Sequence, residues 1–124
     1  MKTGETITPE ARRRILLETE LAVLRAMCQG ARDGRVWAKG ISLLVNYPFL
    51  DPHHQIVFDT LRELPSDDPE KIRLVLAAWL TRKGFPDVDV DSYFQPHGLT
   101  AAAAVSMMHA LLASALGDRL PPRT

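Results

Sequence analysis

Cysteine is almost missing from this chain of 124 residues. The lone Cys28 excludes an internal disulfide, and one thiol cannot build a zinc cluster. A reducing, cytoplasmic setting is therefore the default expectation. Net charge is missing too. Fifteen Lys+Arg stand against fifteen Asp+Glu, with a pI near 6.9, which removes the simplest argument for a nucleic-acid binder. The opening MKTGETITPEARRR has no apolar core of the signal-peptide kind. The least charged run, Leu99 to Gly117, holds no Lys, Arg, Asp or Glu, but it is mostly Ala, Ser and Thr with His109. A spanning helix needs about 20 predominantly apolar residues, so a buried helix is expected here and no membrane role. No Val/Ile-rich alternating run is long enough to demand a sheet.

What is present is ordinary globular composition, 46% hydrophobic and 24% charged. A chain of this size can bury roughly two thirds of its unfolded surface around one core. Helix periodicity dominates. Thr8-Pro9-Glu10 opens a first helix, because a hydroxyl accepts a free backbone N–H and Pro suits the first helical position. Leu17, Leu21, Leu24 and Cys28 fall on one face of it, and Gly30 and Gly34 mark its end. A second helix fits Val36 to about Asn46, with Trp37, Ile41, Leu44 and Val45 inward, weakened at Gly40 and ended by Pro48. Asp51-Pro52 caps a third, with Val57, Phe58, Leu61 and Leu64 inward and Pro65 as its stop. Asp68-Pro69-Glu70 opens a fourth, faced by Ile72, Val75, Leu76, Trp79 and Leu80. Gly84 forms its left-handed cap and Phe85 folds back. The stretch from Phe85 to Gly98 is irregular, with a short helical turn around Asp91 to Phe94. A last helix runs from Thr100 to about Leu116, stopped by Gly117. The expected fold is all-α, a single-domain bundle of five or six helices over residues 1–124, with 1–8 and 118–124 frayed.

The last helix is unusual. At 100° per residue, Val105, Met108, Leu112 and Leu116 form one stripe. The opposite side carries Ala102, Ser106, His109, Ala110 and Ala113. A surface helix normally shows a charged side, and this one has none. Two readings remain open, a central helix wrapped by its own domain and a helix–helix self-association surface. A second candidate contact is the basic run Arg12, Arg13 and Arg14, whose charge opposes the dipole at a helix start. Residues 1–40 carry eight basic against five acidic side chains and the remainder seven against ten. That is a mild dipole without a basic stripe, and no aromatics interleave the run, so direct nucleic-acid binding is not expected.

The middle of the chain resembles a known family. Glu18-Thr-Glu-Leu-Ala-Val-Leu-Arg-Ala-Met27, then Trp37, then Phe49-Leu-Asp-Pro-His-His-Gln-Ile-Val-Phe-Asp-Thr-Leu-Arg-Glu-Leu64 is similar to the N-terminal helical domain of bacterial replicative DNA helicases of the DnaB type. Pro69 to Phe85 resembles that family's following helix with its Gly-containing end. About residues 15 to 90 are covered, and Phe49 to Phe58 is the distinctive part. The resemblance implies an all-helical interaction module that self-associates, as a homodimer or other homo-oligomer, and meets a replicative helicase, a primase or a helicase loader in DNA replication. The motor is missing from this chain, since no glycines stand at G-x-x-x-x-G-K-[ST] spacing. The Pro-interrupted acidic stretch and single Ala-rich helix also depart from the family's terminal hairpin.

Chemistry is sparse. Asp51, His53 and His54 suggest a metal site, but adjacent histidines on a helix point about 100° apart and Asp51 is needed as a cap. The expectation is exposed histidines and no metal; a small metal-dependent enzyme or binder using His53 and His54, or a DNA-binding helical protein using Arg12–Arg14, is the alternative. Asp87, Asp89 and Asp91 begin like a calcium loop, but Ser92 replaces the turn glycine and Gly98 the closing glutamate, so a solvated acidic loop is expected. Cys28 reads as a small core residue, and Ser106 with His109 lacks an acid and oxyanion donors. No catalytic residue, no cofactor site and no enzyme is expected.

Overall fold

The computed structural model describes residues 8–29, 35–64 and 68–119, with side chains described as far as residue 115. It is all-helical: α1 (Pro9–Gln29), α2 (Val36–Leu44), α3 (Pro52–Glu63), α4 (Pro69–Arg82), a 3-10 turn at Val90–Phe94, and α5 (Ala101–Arg119). The cap grammar holds at four starts. Thr8 Oγ1 accepts from Ala11 N at 3.1 Å and Thr100 Oγ1 from Ala103 N at 3.0 Å. Asp51 Oδ1 accepts from His53 N at 2.8 Å and Asp68 Oδ1 from Glu70 N at 3.0 Å. Thr8 thus caps α1. α2 begins differently, from Arg35 at φ 60° with no side-chain cap.

α4 ends as its sequence suggests. Gly84 sits at φ 95°. Phe85 N donates to Leu80 O at 2.8 Å and Gly84 N to Thr81 O at 3.0 Å, the paired bonds of a Schellman turn. Lys83 then reaches Glu63 at 2.7 Å, tying the end of α4 to the end of α3. α5 runs through Gly117 to Arg119, so Gly117 does not stop it, and 118–119 are helical. The stop expected at Gly30 and Gly34, the Pro65 terminator and the tail beyond residue 119 lie outside the described residues.

The core centres on α1, which packs against α2, α3, α4, α5 and the 3-10 turn. Val23, Leu24, Met27 and Cys28 are fully buried among Leu44, Val57, Phe58, Leu61, Ile72, Leu76, Leu80, Met108 and Leu111. Each large side chain removed from water in this way contributes about 1.5–3 kcal/mol. Leu17 and Leu21 are only half-buried, so the inward line of α1 is turned towards Glu20, Val23 and Met27. In α2 the buried residues are Val36, Gly40 and Leu44, while Val45 is exposed. Gly40 does more than weaken its helix. A Cβ there would lie 2.5 Å from Met27 Sδ, so the missing side chain lets α2 close on α1.

α5 is not the wrapped central helix. Among the described elements it packs on α1 and α2 alone. Its buried line is Ala104, Met108 and Leu111, with Val105 and Leu112 half-buried at the edge. The expected stripe is therefore rotated: small Ala104 faces the neighbours and the bulkier Val105 is pushed to the border. The segment after α4 is held by α1. Arg25 Nε donates to Ser92 O at 2.6 Å, and Gln29 Nε2 to Tyr93 O at 3.0 Å and Gln95 O at 2.5 Å.

Candidate interaction surface

With neighbours on one side only, α5 leaves its other side open. Ala102, Ser106, His109, Ala110 and Ala113 are all exposed, opposite the buried Ala104, Met108 and Leu111. The side chains of Ser106 and His109 have no hydrogen-bond partner among the described residues. Lys39 of α2 joins Ala101, Ala102, Val105, Ser106 and His109 around an open groove of about 400 Å³. The floor is alanine and valine, and no acid lines it. Lys39 carried no sequence signal, because its place beside α5 depends on how α2 packs.

The two groups of candidate residues are brought together at one point. α1 packs against α5, and the start of the first meets the far half of the second. There Arg12 Nη2 donates to Ser114 Oγ at 3.1 Å, next to Ala113. Arg12 and Arg13 also border a smaller hollow with Pro9, Leu16 and Leu50. Arg13 and Arg14 are exposed. The basic run therefore flanks the end of α5's open side.

The histidines do not converge. His53 is exposed in the first turn of α3, but His54 is buried, against expectation. Its Nδ1 lies 2.8 Å from Glu20 Oε1, and its ring meets Tyr93 edge-on at 6.3 Å. Glu20 is fully buried on α1. Its Oε2 accepts from Tyr47 OH at 2.5 Å and Leu50 N at 2.8 Å. Donors thus converge on both carboxylate oxygens, which is how a charge is kept inside a protein. Nothing in the spacing of α1 marked Glu20 as interior, because its partners lie 27 to 34 residues away. His54 Nε2 stands 3.9 Å from Asp51 Oδ2. His97 is engaged locally, its Nδ1 accepting from Leu99 N at 3.0 Å. Among the described residues no group of three or more His, Cys, Asp or Glu is placed to hold a metal ion.

Other candidate groups are spoken for or inert. Cys28 is buried, and burial pushes its thiol up from 9.0 to about 12, so little reactive thiolate exists at neutral pH. Burial also raises the Tyr93 phenol, helped by the nearby charges of Asp51, Cys28 and Asp89. Asp87, Asp89 and Asp91 are exposed, as a solvated loop requires, and Arg73 lies 3.5 Å from Asp91 and over the Phe94 ring. The indole N–H of Trp37 is buried without a hydrogen-bond partner among the described residues. No helix of the described residues is long and apolar enough to cross a membrane. No family model matches the chain, and neither the curated proteins nor the solved structures compared with it include a match.

Proposed function

We propose that this chain is a non-catalytic protein–protein interaction module that works in the cytoplasm and self-associates through the open side of α5. One observation carries the reading: five positions on that side, Ala102, Ser106, His109, Ala110 and Ala113, are exposed, and none is Asp, Glu, Lys or Arg. A helix face that meets only water normally carries charge, and small uncharged residues are what a closely approaching helix needs. The Arg12–Arg14 run flanks the same surface and supplies a basic edge for an acidic partner. The resemblance to the helicase N-terminal domain suggests a replicative helicase, a primase or a helicase loader as further partners.

Ala110→Glu tests the reading. It puts a charge in the middle of the exposed side without touching the core. Sedimentation should show an oligomer for the parent chain and a folded monomer for the variant. An unchanged mass for the variant, with circular dichroism unaltered, would remove α5 from the interface. Co-sedimentation with the host's replicative helicase and primase tests the second part. A heavier complex supports it, and free migration of both partners detaches the module from replication.

A further inference from the structure

The hollows of this surface differ in how their charges are arranged. The one between the ends of α3 and α4, about 420 Å³, is lined by Ile56, Asp59, Arg62, Glu63 and Lys83. There the charges answer one another: Lys83 Nζ lies 2.7 Å from Glu63 Oε2, and Asp59 Oδ1 accepts from Gln55 Nε2 at 3.1 Å. The hollow at Arg12 and Arg13 is smaller, about 200 Å³, and Arg12 is already engaged by Ser114. The groove of about 400 Å³ between α2 and α5 is different. Of the residues lining it, Lys39 alone is a permanent cation and none is an acid. Lys39 is exposed and has no ion-pair partner among the described residues.

Other donors line the same groove. Ser106 and His109 bring a hydroxyl and an imidazole, neither of them hydrogen-bonded among the described residues. At the start of α5, Thr100 accepts from the N–H groups of Ala103 and Ala104. The N–H groups of Ala101 and Ala102 have no acceptor among the described residues, and both residues line the groove. Free donors at a helix start favour negative charge. The rest of the wall is the methyl groups of Ala101, Ala102 and Val105.

The geometry points to this groove as a binding site for an amphipathic monocarboxylate, with its carboxylate at Lys39 and its apolar body along the first turns of α5. Occupancy requires no second copy of the chain. The volume falls within the usual range of small-molecule sites, about 300–1,000 Å³. Residues 101 to 109 rise about 12 Å along the helix axis, so the ligand is elongated. One cation beside methyl groups suits one negative charge on an apolar body. A sugar phosphate fits badly. Its hydroxyls would leave water for a wall with few partners, and no second Lys or Arg lines the groove to meet its second charge.

Octanoate is the probe, titrated at neutral pH into the isotope-labelled chain and followed by amide chemical shifts. Saturable shifts should centre on Lys39 and the first turns of α5, with half-saturation at roughly 1 mM. Acetate lacks the apolar body and octylammonium reverses the charge, so each should bind at least about tenfold more weakly. Lys39→Gln removes the cation at an exposed position and should leave the fold intact. It should weaken octanoate binding about tenfold, and Lys39→Arg should restore it. Equal binding of octylammonium, or unchanged affinity of Lys39→Gln, would overturn the assignment of the carboxylate to Lys39. Equal binding of acetate would remove the apolar body from the recognition. Saturable shifts centred elsewhere in the chain, or shifts that never saturate, would overturn the site.

Discussion

α1 and α5 each invert the usual rule, in opposite senses. α1 carries a carboxylate, Glu20, where the helix is completely enclosed. α5 carries alanine, serine and histidine where the helix is open to water. The first inversion is resolved inside the chain, because Tyr47, Leu50 and His54 bring donors to the carboxylate. The second is not resolved by anything in the described residues. A buried carboxylate with donors on both oxygens is a structural element. An uncharged exposed face asks for a partner. The comparison separates what holds this protein together from what it offers to others.

The sharpest way to break that comparison is at Glu20. Glu20→Ala removes the shared acceptor of the Tyr47 hydroxyl, the Leu50 N–H and the His54 ring, and should cost about 3–5 kcal/mol of stability in urea unfolding. A loss below about 1 kcal/mol would mean that the carboxylate does not organise the turn before α3. Alkaline pH should come next. The Cys28 thiol holds its proton in the folded chain to about pH 12, whereas the unfolded thiol releases it near 9.0. The raised Tyr93 phenol acts in the same sense. Stability from these groups is therefore complete below pH 9 and declines as pH rises towards 12. Melting temperatures across pH 8 to 11 check the sign, and Cys28→Ala should flatten the decline. Gly40→Ala is smaller. The gain in helix propensity is set against a Cβ 2.5 Å from the buried Met27 Sδ, and a net loss of about 1–2 kcal/mol is expected. A stabilised variant would show that Met27 has room to move. Ala110→Glu should shift the stability of the isolated chain by no more than about 0.5 kcal/mol while abolishing association. A large loss of stability in the monomer would make α5's open side part of the core after all.

Much of the architecture was legible because its signals are local. Asp51 and Asp68 bond N–H groups two residues on, and Thr8 and Thr100 bond those three residues on. A reader of the sequence has all of the participants in view. The same is true of the Gly84 turn and of the small uncharged set on α5. His54 was misplaced for the complementary reason. A histidine in a first helical turn is exposed by default, and only the arrival of α1 encloses it. The rotation of α5, too, was settled by its contact with α1 and α2, which buries Ala104 and leaves Val105 half-buried.

Taken alone, the sequence determined where four of the helices begin and which class of fold they build, because backbone capping and helical periodicity act over three or four residues. It also determined that one side of the last helix would carry no charge. Tertiary structure decided which helix is central, what Gly40 is for, where Glu20 finds its donors and how Arg12 comes to lie beside Ser114. Those contacts join residues up to 102 positions apart, a separation at which side-chain packing selects the partner and local pattern has nothing to say.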